Sequence, residues 1–151
     1  MKLTSKSEYT LLALIFMARK PKGAYVKIEE ICQAYDIPKK YLEQLLTILR
    51  SNGLVKTRRG AEGGYALAKD PKEITAAEIV RIMDGAIAPV ESVSQYFYSY
   101  TPLEKEEAVL GLFKDIRDYA ARLMESRSLY DLAFAGAQGG GEYSHIDLVC
   151  K

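Results

Sequence analysis

Between residues 39 and 64 the chain sets out the side chains that nucleic-acid chemistry uses. Lys39, Lys40, Glu43, Gln44 and Thr47 come first, and Arg58, Arg59, Gly60, Gly63 and Gly64 follow. On a helix, positions 40, 43, 44 and 47 share one face, because residues three and four apart are surface neighbours. The Gln44 amide can pair with adenine N6 and N7, and the Glu43 carboxylate can accept from cytosine N4. A carboxylate aimed at phosphates is costly unless it reads a base, which singles out Glu43. Adjacent arginines at the root of a thin loop can enter or flank a narrow, negatively charged minor groove. The plainer readings are a solvated helix face and an ordinary hairpin. Arg58–Gly64 nevertheless holds two arginines and three glycines in seven residues, more than a turn requires.

These residues need a helix and a hairpin to carry them. Pro38 suits the first position of a helix, where its missing N–H costs nothing. Leu42, Leu45, Leu46 and Leu49 give that helix one apolar stripe, and Asn52–Gly53 stops it. Before it, Ile28, Ile31, Cys32 and Tyr35 mark a second helix ending near Asp36. Earlier still, Ser5 and Glu8 have capping-box spacing ahead of an apolar helix that ends near Arg19–Lys20. Residues 54–57 and 65–68 read as strands joined by Arg58–Gly64. The order is that of a winged helix-turn-helix, with one helix for the major groove and a thin charged wing for the minor groove. Lys6, Tyr9 and Lys27 are candidate phosphate contacts, although Tyr9 could equally pack the bundle.

Further along, Thr75 and Glu78 form a second capping box, opening a short helix with Ile79, Ile82 and Met83 inward. Residues 86–102 have no period and contain the aromatic run Tyr96, Phe97, Tyr98 and Tyr100. That run could line a small-molecule pocket, dock a protein or fill an interface. Leu103–Glu125 is the longest helical pattern, about 35 Å at 1.5 Å per residue. Val109, Phe113, Ile116, Ala120 and Leu123 form its seam, read as a dimerisation face or an intrachain brace. Ser128–Ala135 reads as a last short helix, residues 136–142 as a flexible linker, and 143–151 as an apolar tail. The expected division is 1–84 for DNA binding, 85–135 for an effector loop and dimerisation helix, and 136–151 for linker and tail. The fold class is mainly α with a small β-hairpin wing.

Composition narrows the function. Residues 1–70 hold 13 Lys/Arg against 7 Asp/Glu, a net of +6, while residues 71–151 hold 8 against 13, a net of −5. A basic front suits a face turned to a polyanion, though chance segregation gives the same pattern. One histidine, no nucleophile–base set, no metal-ligand spacing and no G-K-S/T ending after the glycines argue against an enzyme. No apolar run approaches a membrane span, and the N-terminus lacks signal-peptide organisation, so a cytoplasmic protein is expected.

Five segments together carry a resemblance. M-K-L-T-S-K at the start, Y-L-E-Q-L-L on the third helix and L-V-K-T-R-R-G-A-E-G-G-Y in the wing are similar to the Rrf-two family of bacterial winged-helix repressors. I-T-A-A-E-I-V-R-I-M-D-G and A-P-V-E extend the likeness over roughly residues 1–133. The resemblance implies a sequence-specific transcriptional regulator, a homodimer crossed by a long C-terminal helix, reading a palindromic operator. It places Glu43, Gln44 and Arg59 at positions of base or groove contact. Cluster-binding members resemble one another in three cysteines after the A-P-V-E segment. Here Glu91–Pro102 contains neither Cys nor His, and a cluster needs such ligands. The chain therefore looks like the cluster-free, CymR-type subgroup, with no cofactor expected and a metabolic-enzyme partner or small-molecule effector as the signal. The alternative is a winged helix that serves only as a protein-interaction module.

Overall fold

Thr4 starts the first helix. In the computed structural model, which describes residues 1–135, α1 spans Ser5–Ala18. The Thr4 hydroxyl accepts from the Lys6 N–H at 3.2 Å. The cap expected at Ser5 lies one residue earlier because Asp84, at the end of helix α4 (Ala76–Asp84), anchors Thr4. Its carboxylate accepts from the Thr4 N–H at 2.8 Å and from the Thr4 hydroxyl.

Helix α2 (Ile28–Tyr35) and helix α3 (Lys39–Ser51) form the helix-turn-helix. The turn between them depends on Asp36, whose φ of 54° is left-handed, a conformation that Asp tolerates better than most residues. Ile37 then drops into the core and donates its N–H to the Cys32 carbonyl at 3.2 Å. Pro38, expected inside the helix, caps it instead with an extended backbone. Its carbonyl already accepts from the Leu42 N–H at 3.0 Å, so it stands half in the helix.

Leu42, Leu45, Leu46 and Leu49 are all buried, packed with Leu14 and Met17 of α1 and Ile28 and Ile31 of α2. Burying each such side chain contributes about 1.5–3 kcal/mol. That stripe determines which face of α3 turns outward. Strands β1 (Val55–Arg58) and β2 (Gly64–Leu67) pair antiparallel, with Val55 opposite Leu67 and Arg58 opposite Gly64. Val26 adds a single-residue third rung to the free edge of β2, exchanging two 2.8 Å hydrogen bonds with Tyr65. The wing is thus tied to the segment leading into α2.

At α4 the Thr75 hydroxyl caps the Glu78 N–H at 3.1 Å, but the reciprocal half of the expected box is missing. Glu78 pairs instead with Lys69 at 3.0 Å. Ile79 and Met83 are buried and Ile82 packs partly against the same core. Two 3₁₀ turns, Glu91–Val93 and Pro102–Lys105, shape the next segment. The long helix consequently starts later than Leu103. Pro102 opens a 3₁₀ turn and Glu106 is extended, so α5 spans Glu107–Glu125, about 28 Å.

Ala120, Ala121 and Met124 of α5 pack on Ala77, Val80 and Ile87. Helix α6 (Leu129–Phe134) is capped by Ser128 and Asp131, and Leu129 is buried in the core of the N-terminal helices. Arg19 Nε donates to the Ala133 carbonyl at 2.8 Å across the same contact. The expected linker and tail, 136–151, lie outside the described residues. No described helix is long and apolar enough to cross a membrane.

Candidate nucleic-acid interface

The outer face of α3 carries Lys40, Glu43, Gln44 and Thr47, all exposed. Lys40, Glu43 and Gln44 have no hydrogen-bond or ion-pair partner among the described residues, so their polar atoms are available to a ligand. The Thr47 hydroxyl donates back to the Glu43 carbonyl at 2.9 Å, which leaves its methyl and oxygen lone pairs outward. Lys39 is committed elsewhere. Its ammonium meets Glu29 of α2 at 2.6 Å, and this hydrogen bond, reinforced by charge, raises the Lys39 pKa and lowers that of Glu29. The pair braces the N-terminus of α3 against α2.

The two wing arginines differ. Arg58 folds back, donating from Nε and Nη2 to the Glu62 carbonyl at 3.2 and 2.5 Å. Its guanidinium carbon also lies 4.3 Å from the centroid of the Tyr25 ring. Arg59 is exposed and has no partner among the described residues. Gly60 turns at the tip with φ 96°, while Gly63 is buried where any Cβ would come within 2.0 Å of the Arg58 carbonyl. A Cβ on Gly64 would meet the Val26 carbonyl at 2.2 Å, so the wing cannot close onto residue 26 with any larger residue there.

Of the other expected contacts, Lys6 is exposed beside Asp84, whereas Tyr9 is half-buried. Its ring meets Tyr41 edge to face at 5.8 Å, within the packing of α1 on α3. Lys27 reaches the wing, its ammonium donating to the Gly60 and Ala61 carbonyls at 3.3 and 2.7 Å. Tyr25, absent from the sequence reading, is thereby the residue on which wing side chains converge, since Lys56 also lies 5.9 Å from its ring. A signal was present. Tyr25, Val26 and Lys27 alternate polar, apolar and polar, as a half-buried strand does.

The seam on α5 divides between two neighbours. Ala120 faces α4, and Phe113 is half-buried. Val109, Ile116 and Leu123 are exposed, and Leu112 and Tyr119 join them at 56% and 65% exposure. Positions 109, 112, 116, 119 and 123 alternate steps of three and four, which makes one continuous apolar stripe. Tyr96, Phe97, Tyr98 and Tyr100 are also exposed, at 59–69%, so they fill no interior space within the chain. Beneath them the loop is fastened by its own hydrogen bonds. Arg117 donates to the Val93 carbonyl at 2.7 Å, Thr101 to Ser92 at 2.9 Å, and Ser94 Oγ accepts from the Phe97 N–H at 3.0 Å.

The donor set among the described residues does not fit an iron centre. Among the described residues no group of three or more His, Cys, Asp or Glu is placed to hold a metal ion. Cys32 lies in α2, packed against the core of the N-terminal helices, and burial, followed by the Glu29 charge, pushes its thiol pKa up. A thiolate ligand needs the opposite. His145 and Cys150 fall outside the described residues.

Comparison with known proteins places this geometry. A family model described as "Rrf2: Iron-dependent Transcriptional regulator" matches residues 3–135. The chain is 38% identical over 133 residues to the HTH-type transcriptional regulator CymR of Bacillus subtilis, covering 88% of this chain and 90% of that protein. It is 40% identical over 87 residues to the HTH-type transcriptional regulator IscR of Photorhabdus laumondii, covering 58% and 53%. Among solved structures it is similar to CymR (YrzC), the global cysteine regulator of B. subtilis, with a TM-score of 0.73 and 36% identity over 89% of this chain and 98% of that one. It is also similar to T. potens IscR, with a TM-score of 0.71 and 26% identity over 95% of both chains.

Proposed function

Because the chain belongs to the Rrf2 family and is a DNA-binding transcriptional regulator, we propose that it reads a two-fold-symmetric operator as a homodimer. In this reading α3 enters the major groove, with Glu43 and Gln44 reading bases and Lys40 and Thr47 beside them. The wing lays Arg59 along the minor groove, and Lys6 meets phosphate. The observation that carries the assignment is the contrast in partners. Lys39 is tied to Glu29, and Arg58 to Glu62 and Tyr25. Lys40, Glu43, Gln44 and Arg59 beside them are exposed on α3 and the wing, and their side chains have no hydrogen-bond or ion-pair partner among the described residues.

The dimer forms along α5 in this proposal. Val109, Leu112, Ile116, Tyr119 and Leu123 present more apolar surface than scattered side chains would, and a single helix-turn-helix generally reads DNA as a symmetric pair. Functionally, residues 1–84 read DNA and 85–135 couple the two copies, with α6 docked back on α1. The protein acts in the cytoplasm as a repressor and catalyses no reaction. It is controlled by a protein or small molecule received at the 86–102 loop, since Glu91–Pro102 offers no cluster ligands.

Titration of duplex DNA at rising salt tests the assignment. Affinity should fall steeply, with a log–log slope set by the phosphates engaged. Absence of duplex binding under every condition would refute it.

A further inference from the structure

We propose that Tyr25 and Lys27 form a clasp that positions the wing's free arginine, Arg59, and so determine how strongly the protein reads a narrow minor groove. This rests on the DNA-reading assignment above.

Val26 is the only residue of its segment bridged to β2, and its side chain is buried. Side chains alternate along an extended chain, so Tyr25 and Lys27 stand together on the opposite, outer face. On β2 the residues sharing that face by alternation are Gly64 and Ala66, both small, and on β1 they are Lys56 and Arg58. A low central strand lets side chains meet across it. Arg58 lies over the Tyr25 ring at 4.3 Å, and Lys27 reaches the tip carbonyls of Gly60 and Ala61. Arg58 in turn holds the Glu62 carbonyl. Arg59 therefore lies between two held points, Arg58 over the Tyr25 ring on one side and the Gly60 and Ala61 carbonyls on the other, and is directed without being consumed. Preorganisation of this kind lowers the ordering cost of binding. Tyr25 and Lys27 act through Arg59 and are positioning residues.

The test is a double-mutant cycle on a duplex of about 30 base pairs bearing A-tracts, whose minor groove is narrow. Tyr25→Leu should weaken binding about fivefold, the size of one exposed cation–π contact, with the salt slope unchanged. Tyr25→Phe, which keeps the ring, should bind as wild type, and this separates positioning from a general loss of fold. Arg59→Ala should lower the slope by about one, and adding Tyr25→Leu to it should cost nothing more. Lys27→Met should lose affinity at constant slope. Equal losses from Tyr25→Leu in both backgrounds, or a Tyr25→Phe variant as weak as Tyr25→Leu, would overturn the clasp while leaving DNA reading intact. A slope lowered by Lys27→Met would make Lys27 a phosphate contact and remove it from the clasp. No binding by wild type would overturn the assignment and the clasp together.

Discussion

Arg58 rests 4.3 Å over the ring of Tyr25, whereas the side chain of Arg59, the next residue, has no hydrogen-bond, ion-pair or ring partner among the described residues. Two like residues side by side thus have unlike roles. One holds the wing in shape, and the other is left to the ligand. The same division recurs on α3, where Lys39 is locked to Glu29 at 2.6 Å and Lys40 is unpaired.

Glu43→Ala should relax base preference while leaving non-specific binding intact or stronger, because a negative charge near phosphate is removed. Discrimination at one base position should fall by about 1–3 kcal/mol. Competition between the preferred site and scrambled duplex measures it, and equal losses on both would argue against base reading by Glu43.

Ile116→Glu places a charge in the middle of the α5 stripe without touching the core. Sedimentation should show a shift from dimer to monomer, with operator affinity falling at least tenfold as the two half-sites uncouple. A variant that remains dimeric would move the interface elsewhere.

Asp84 makes stability pH-dependent. Partial burial opposes its charge, but the nearby Ser7 hydroxyl, the Thr4 hydroxyl and the Thr4 N–H outweigh this and hold the carboxyl below its usual range. A lowered folded pKa means the stabilisation is present above the unfolded value of about 3.9 and is lost as pH falls through the folded value. Urea unfolding of wild type should therefore weaken more than that of Asp84→Asn between pH 5 and pH 2. Parallel pH profiles would contradict the Thr4–Asp84 anchor.

Protein expressed anaerobically with iron available should be colourless. A visible charge-transfer band would show ligands that the 91–102 loop does not supply.

Much of this site was legible in the sequence because its determinants are local. The leucine stripe at 42–49 fixes the outward face of α3, and the glycines of 60–64 announce a thin wing. What escaped was set by contacts far apart along the chain. Thr4 displaces Ser5 as a cap because Asp84 reaches it, and Tyr25 matters because Val26 pairs with Tyr65. Periodicity likewise showed that α5 has apolar positions but could not apportion them. Ala120 turns toward Val80 and Ala77, while Leu112 and Tyr119 complete the outer stripe.

Selection of bound duplexes from a random pool by the iron-free protein tests the central claim most directly. The account predicts enrichment of a two-fold-symmetric site with half-sites one or more helical turns apart. Enrichment of no motif, of a single unpaired half-site, or of any motif only after iron loading would contradict it.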